Sequence, residues 1–452
     1  MADVPKASCI RLEPFIHQVG GHSSMLCLDE ATVCKPLVKR ELQFYETLPE
    51  AVSKFTPHFY GVIQVNVQTE EEDYVTLNAT PPKFYKPISS SPTQRVRLRR
   101  TGSIEVNQDD HILFEEDSLD GETQPNNTSL ALNPWVLKCH RDHLSAIINT
   151  ATTQNFILLE NVASQFTFPC ILDLKMGTRQ YGDADTLAKK QSKMVKVVST
   201  TSAKLGVRVG GMQVYQTTTG RFLCRNKLYG RSLSVNGFSQ ALCKFLHNGK
   251  RIRNDVLPPL IKRLEELLEV LHRQEAVRFY TASLLLLYEG QDQFDSTECK
   301  GREENVPRKA SISHFKFEEA IETKYDSPSK SSSSGPGNNN ISPSAQDMES
   351  IVNAFEEERQ RSERMRHRRS SSCVALNDIL AGSSNLSLPS SPSPLQASVP
   401  TEPTVDVRII DFAHSTHQGL ADPVSYTGPD SGFIFGLENM ISILKNIERD
   451  NG

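Results

Sequence analysis

The stretch PCILDLKMG, residues 169–177, decides how this chain is read. It runs as a short apolar strand that carries an acid, Asp173, and two residues later a base, Lys175. In an extended segment, residues two apart point to the same side, so a carboxylate and an ammonium would face one cleft. The carboxylate can orient a hydroxyl and the ammonium can hold a transferring phosphoryl group. Phosphoryl transfer asks mostly for positioning and charge neutralisation. Pro169 fixes the start of the segment, and Gly177 lets the backbone pass close to a ligand. A surface turn with a solvated ion pair, worth little, would show the same letters. A second apolar strand, VRIIDFA, also ends in an acid, Asp411. Such an acid is expensive to desolvate unless a cation compensates. Mg2+ with phosphates is the natural candidate, because magnesium takes one or two carboxylates plus phosphate oxygens. A single Asp of this kind more simply caps a turn or pairs with Arg. Two of them, with the lysines, favour the metal and phosphate reading.

Upstream, residues 31–34 read as a strand leading to Lys35. Residues 38–48 then read as a helix, with Leu42, Tyr45 and Leu48 at helical spacing and Glu41 on it. A strand lysine ahead of such a helix resembles the kinase arrangement that holds nucleotide phosphates. Residues 19–24, VGGHSS, form a small-residue turn whose backbone N–H groups could cover phosphates. No GxxxxGK[ST] and no GxGxxG occurs, which excludes a P-loop and a Rossmann fingerprint. No His-Arg-Asp loop occurs, so this is not an ordinary protein kinase.

Downstream, Asp183 is a candidate helix cap. On the helix that follows, Lys189, Lys193 and Lys196 share one face, and Leu187, Met194 and Val198 another. Lys204, Arg208, Lys227 and Arg231 come soon after. A charged face is ordinarily just solvated. Beside a phosphoryl-transfer centre it points to a highly anionic substrate, which only clustered Lys and Arg could hold. Residues 156–159 and 170–172 read as strands, and 210–216 with 222–226 flank a Thr219-Gly220 hairpin turn. Pro258 and Pro259 mark a helix start. The stripe Leu260, Leu264, Leu267, Leu268 and Leu271 after them is core. Residues 407–410 are a buried strand, and 435–447 an amphipathic helix.

The chain has 452 residues, 50 Lys+Arg against 54 Asp+Glu, and 37% hydrophobic residues. At about 150 residues per domain the length suggests roughly three domains, but composition argues for fewer. Residues 81–132 turn polar, with basic and then acidic runs. Residues 293–404 are rich in Ser, Pro, Asn and charge. Such segments bury too little apolar surface to offset the entropy of ordering. The expectation is one α+β fold of two lobes interrupted by two disordered insertions. Residues 1–80 would form the N-lobe, 133–292 the hinge, catalytic motif and substrate segment, and 405–452 the completion of the C-lobe. A net charge of −4 excludes a globally basic nucleic-acid binder, and the basic patch lacks interleaved aromatics for stacking bases. The longest apolar run, 284–288, is far too short to span a bilayer. No signal peptide is visible, so the expected location is cytoplasmic and nuclear. The nine cysteines are expected to be free thiols. Cys139, His140 and His143 lie close together but are not read as a metal site.

At this point the residues match a family. PCILDLKMG resembles the PxxxDxKxG motif of the inositol polyphosphate kinases. Ser283-Leu284-Leu285 resembles their Ser-Leu-Leu motif, and Ile410-Asp411-Phe412 their Ile-Asp-Phe motif. Further stretches resemble the inositol hexakisphosphate kinase branch: LEPFIHQVGGHSSM, LLENV, DLKMGTRQYGD, LGVRVGGMQVYQ, DFAHST and FGLENMISIL. The resemblance covers nearly all of the chain outside the two insertions. One departure is that Thr281-Ala282 precede Ser283 where the motif has a further Ser.

The resemblance implies a two-lobed fold distantly similar to protein kinases, using ATP and Mg2+. Lys35 would contact ATP phosphates, and Glu160 and Val162 would form the hinge whose backbone binds adenine. Asp411, with Ser283, would hold Mg2+. Lys175 would contact the acceptor and the transferring group, and Asp173 the ribose or the acceptor. Arg179, Lys189, Lys193, Lys196, Lys227 and Arg231 would bind the substrate. The implied acceptor is inositol hexakisphosphate, whose six phosphates carry roughly −9 to −12. It is already ionised, which favours an electrostatic role for Lys175 over a strict base role for Asp173. An inositol trisphosphate 3-kinase or multikinase shares the main motif and is the alternative. A scaffold that senses inositol phosphates is the alternative of another class. The insertions could bind protein partners. They carry Thr101 and Ser103, and Ser370 to Ser372, after arginines, as basophilic kinases favour. Residues 364–369 resemble a nuclear import signal.

Overall fold

The computed structural model describes residues 9–70, 73–80, 96–99, 104–106, 112–116, 133–150, 153–291, 403–420 and 424–451. All of them belong to one compact unit. The second insertion, apart from its last two residues, lies outside the described residues. So do the hydroxyls expected to be phosphorylated and residues 364–369.

The elements run β1 Ile10–Pro14, β2 Leu26–Cys27, β3 Thr32–Pro36, α1 Lys39–Glu46, α2 Glu50–Ser53, β4 Phe59–Thr69 and β5 Tyr74–Thr80. Then come β6 Val96–Arg99, β7 Ile104–Val106, β8 Leu113–Glu116, α3 Pro134–Thr150, β9 Gln154–Glu160 and β10 Pro169–Met176. Next are α4 Leu187–Val198, α5 Thr201–Leu205, β11 Val207–Gln216, β12 Arg221–Arg225, α6 Lys227–Ser232 and α7 Val235–Phe245. The last are α8 Leu257–His272, β13 Ser283–Glu289, β14 Val405–Ile410 and α9 Ser431–Asn451.

The first sheet has the order β1-β2-β3-β9-β4-β5-β6-β7, and β1 also pairs with β5, so six strands close on themselves. Its small core holds Leu12, Leu26, Cys34, Ile63, Val65, Leu77, Phe156 and Leu158. Residue 80 does not separate the lobes, because β9 lies between β3 and β4. The second sheet has the order β14-β13-β10-β11-β12-β8. Its pairings are antiparallel except β12 with β8. Helices α7, α8 and α9 cover it, and the α8 leucines expected to be core are buried except Leu268, which is partly so. Helix α8 begins with prolines in its first turn, where a missing N–H leaves nothing unsatisfied. Gly220 turns the β11–β12 hairpin at φ +68°.

The expectation that 81–132 lacks structure is corrected where residues are described, since they form β6, β7 and β8. The cause is specific packing inside a polar composition. Phe114 is wholly buried and stacks on Phe222 at 5.2 Å, and Glu115 pairs with Arg221. Among the described residues no helix is long and apolar enough to cross a membrane.

His140 on α3 is a core residue, 5% exposed, with its Nδ1 2.9 Å from Ser24 Oγ. Burial, helped by His143, pulls its pKa down to about 3. The unfolded chain would therefore take up a proton near pH 6.5 that the folded chain refuses. Stability is expected to fall by about 2 kcal/mol between pH 7 and pH 5 from this group alone. His140→Gln should flatten that slope in thermal unfolding. An unchanged slope would remove His140 as its source.

Candidate active site

Strand β10 alternates as the sequence requires. Leu172, Leu174 and Met176 are wholly buried on one face, so Asp173 and Lys175 share the other. On the antiparallel neighbour β11, Asp173 lies opposite Gly211 and Lys175 opposite Arg208, with a bulge between Asp173 and Leu174. On the other side Lys175 lies opposite Ser283, and Ser283 opposite Ile410. The motif strand, the Ser-Leu-Leu strand and the strand ending at Asp411 are thus neighbours.

Asp411 sits just past β14 with φ +69°, an uncommon conformation for a residue other than Gly. Its Oδ1 accepts from Lys35 Nζ at 2.7 Å and its Oδ2 from Lys175 Nζ at 2.6 Å. One carboxylate thereby joins a lysine of the first sheet to a lysine of the second. Lys35 Nζ also donates to Glu41 Oε1 at 2.7 Å, and the same oxygen accepts from Phe412 N at 3.1 Å. Burial would raise the Asp411 pKa, but Lys175 and then Lys35 outweigh it and hold the group well below the usual carboxylate range. Burial likewise opposes the charge on Lys35, yet Asp411 and Glu41 raise its pKa.

Asp173 is different. It is 2% exposed, its Oδ1 has no hydrogen-bond partner, and its pKa is raised by burial and by Asp411 against the pull of Lys175. A Cβ at Gly20 would collide with its Oδ2, and one at Gly211 with the Val19 carbonyl. The glycine turn, expected to cover phosphates, is therefore small because it lies against the Asp173 carboxylate and the β10–β11 strand pair. Gln18 braces it, donating to the Gly20 and Ser23 carbonyls and accepting from Met25 N.

A basic cluster lies beside Lys175. Burial and then Arg231 pull Arg208 down to about 10. Burial, Arg231, Arg208 and Lys193 lower Lys196. Burial, Arg231, Lys138 and Lys196 lower Lys227, whose Nζ lies 4.7 Å from the Trp135 ring centroid. Cations that depress one another form a site for an anion. The structure thus brings Lys196, Lys227 and Arg231 into one field and adds Arg208 and Lys138, whereas Lys193 beside them is paired with Asp185 at 2.8 Å. Arg208 was visible in sequence as a base, but only the strand register puts it across from Lys175.

Other expected residues are engaged differently. Lys189 is exposed, one turn before Lys193 on α4, and helps to lower the pKa of His414. Arg179 pairs with Asp183, bonds the Tyr280 and Tyr426 hydroxyls at 3.1 and 3.2 Å, and lies 3.9 Å from the Tyr280 ring centroid. Its guanidinium is spent on holding the chain after the motif. Asp183, bonded to Arg179 and Tyr426, is not the cap of α4; Thr186 is, accepting from Lys189 N at 3.4 Å. At the end of β9, where the hinge was expected, the Glu160 side chain accepts from His58 N and Arg408, while its N–H donates to the His58 carbonyl. Asn161 fixes the turn, and Val162 enters none of the turn's backbone bonds.

A metal held here would have few protein ligands. Asp411 is partly exposed, and the buried Ser283 lies opposite Ile410, the residue before Asp411, with its hydroxyl close enough to Asp173 to lower that acid's pKa. That pair fits Mg2+, which takes most remaining positions from phosphate and water.

Residues 156–445 match the model of the inositol polyphosphate kinase family. The chain is 36% identical to human inositol hexakisphosphate kinase 1 over 98% of its length and 95% of that protein. It is 35% identical to human inositol hexakisphosphate kinase 2 over 99% of its length and 97% of that protein. A solved yeast (S. cerevisiae) inositol phosphate multikinase, in complex with ADP and Mn2+, aligns at 16% identity with a TM-score of 0.44, over 92% of this chain and 99% of that one. The family match and the near full-length likeness to inositol hexakisphosphate kinases define a phosphotransferase. The chain belongs to the inositol polyphosphate kinase family.

Proposed function

We propose that this protein uses ATP to phosphorylate inositol hexakisphosphate, forming a diphosphate on the inositol ring. The observation that carries this reading is the Asp411 carboxylate held between Lys35 and Lys175, with Arg208 directly across from Lys175. The near full-length likeness to hexakisphosphate kinases supports the choice of acceptor over inositol trisphosphate.

ATP would lie between the two sheets, its base against the turn at Val162 and its phosphates near Lys35. Asp411 and Ser283 would hold Mg2+, which supplies charge neutralisation between the phosphates. Lys175 stands where the transferring group passes and holds its charge. The basic cluster orients the polyanionic acceptor. The acceptor oxygen is already ionised, so Asp173 need not abstract a proton. The raised pKa of Asp173, from burial first, suits an orienting role. The protein would act in cytoplasm and nucleus, and the insertions would offer surfaces to protein partners.

The test is transfer from labelled ATP with Mg2+, offering inositol hexakisphosphate and inositol trisphosphate side by side. An acid-labile diphosphate made from the hexakisphosphate is expected. Transfer to the trisphosphate alone would make the protein a 3-kinase or multikinase. Binding of both without transfer would make it a scaffold.

A further inference from the structure

Arg408 lies on β14 three residues before Asp411, yet its side chain reaches the hinge. Its Nε donates to Asp406 Oδ2 at 2.7 Å, and its NH1 to the Thr56 carbonyl at 2.8 Å. NH1 and NH2 donate to the two Glu160 carboxylate oxygens at 3.2 and 3.3 Å. This bidentate fork is a geometry that lysine cannot reproduce. Glu160 is the last residue of β9, and its Oε2 also accepts from His58 N at 3.0 Å. Asp406 is 5% exposed and accepts from Gln165 Nε2 at 3.2 Å, on the chain that leads from the hinge to β10. One backbone bond runs beside the fork, Ile409 N to the Phe55 carbonyl at 2.6 Å. One guanidinium thus ties together the strand that ends at Asp411, the loop before β4, and the end of β9.

We propose that Arg408 is a positioning residue that fixes the nucleotide hinge at Glu160–Val162 relative to the carboxylate of Asp411. This rests on the ATP reading above. The base of the nucleotide is held at one end of this span and its phosphates at the other. Without the fork, β14 stays linked to the loop before β4 through the Ile409–Phe55 backbone bond, but among the described residues no side chain then ties β14 to the end of β9. Arg408 itself touches no reacting atom. Its loss therefore acts on how well the nucleotide spans the cleft, and not on the acceptor cluster around Arg208 and Arg231.

The full chain would be made as wild type, Arg408→Ala, Arg408→Lys, Glu160→Gln and the Arg408→Ala/Glu160→Gln double variant. Steady-state KM for each substrate, ATP affinity by calorimetry and thermal midpoints would be measured. Arg408→Ala is expected to raise the KM and Kd for ATP about tenfold with the KM for the acceptor within twofold. Arg408→Lys should recover only part of this. The double variant should be no worse than Arg408→Ala, because both substitutions break one link. Equal rises in both KM values, or an unchanged ATP Kd in a folded variant, would overturn the proposal. If Arg408→Ala does not fold, Glu160→Gln decides. A selective rise in its ATP Kd supports the link and no change refutes it. If wild type binds ATP but transfers to neither inositol phosphate, the proposed activity fails. The calorimetric comparison then still decides on Arg408.

Discussion

Lys175→Ala is expected to lower kcat by about 10²- to 10³-fold, the size seen when one aligned donor is taken from a developing negative charge. The side chain is 20% exposed and bonds Asp411, so its loss empties no apolar core. The thermal midpoint should move by only a few degrees. Two consequences separate this from general damage. Asp411 keeps Lys35 and so stays ionised. Asp173 loses the cation that chiefly opposes its burial, so its pKa rises further. The little activity that remains should then fall off at higher pH than in the wild type if Asp173 works as the carboxylate. Lys175→Arg should recover little, because a planar fork replaces a point charge between two strands. A variant with near wild-type kcat would show that Lys175 only neutralises Asp411 and does not hold the transferring group.

Much of this site could be read from local sequence because strands alternate. Asp173 and Lys175 needed only the period of two, and Asp411 only an apolar run ending in an acid. What could not be read was long-range. Lys35 meets Asp411 across 376 positions, and Arg179 finds the Tyr426 hydroxyl across 247. Arg179 therefore looked like another base after the motif, although phenols and Asp183 already occupy it. Arg208 was ambiguous for a different reason. Its partner is set by the register of the β10–β11 pair, whose bulge falls between Asp173 and Leu174. A one-residue slip would have turned it to the other face. The glycine turn was located correctly, but its neighbour, Asp173, lies about 150 residues away and gives no local signal. In the fold, the closing β1–β5 pair and the short strands β6 to β8 were missed. Strands of three to five residues in charged sequence leave almost no periodicity to detect.

Asp411→Asn carries the second large expectation. Asparagine keeps the volume and one acceptor, but it removes the charge that two ammonium groups share. Lys35 retains Glu41 at 2.7 Å, whereas Lys175 loses its hydrogen-bonded carboxylate. The cleft then gains one net positive charge while losing its anionic metal ligand. Turnover with Mg2+ should fall by at least about 10²-fold. The Mg2+ concentration for half-maximal rate should rise, because Ser283 is left as the only protein ligand assigned to the metal. ATP alone, being anionic, should still bind, and direct titration without metal separates these effects. The pH dependence supplies a further check with a fixed sign. The folded pKa of Asp411 lies well below the ordinary carboxylate value, so its stabilising pairing is complete above that ordinary value. It is lost only as pH falls towards the depressed one. Any fall in wild-type activity between pH 7 and pH 5 must then come from other groups and should persist in the residual activity of Asp411→Asn. A variant with unchanged metal dependence would leave Asp411 as a mere bridge between two lysines, and the metal would have to be held elsewhere.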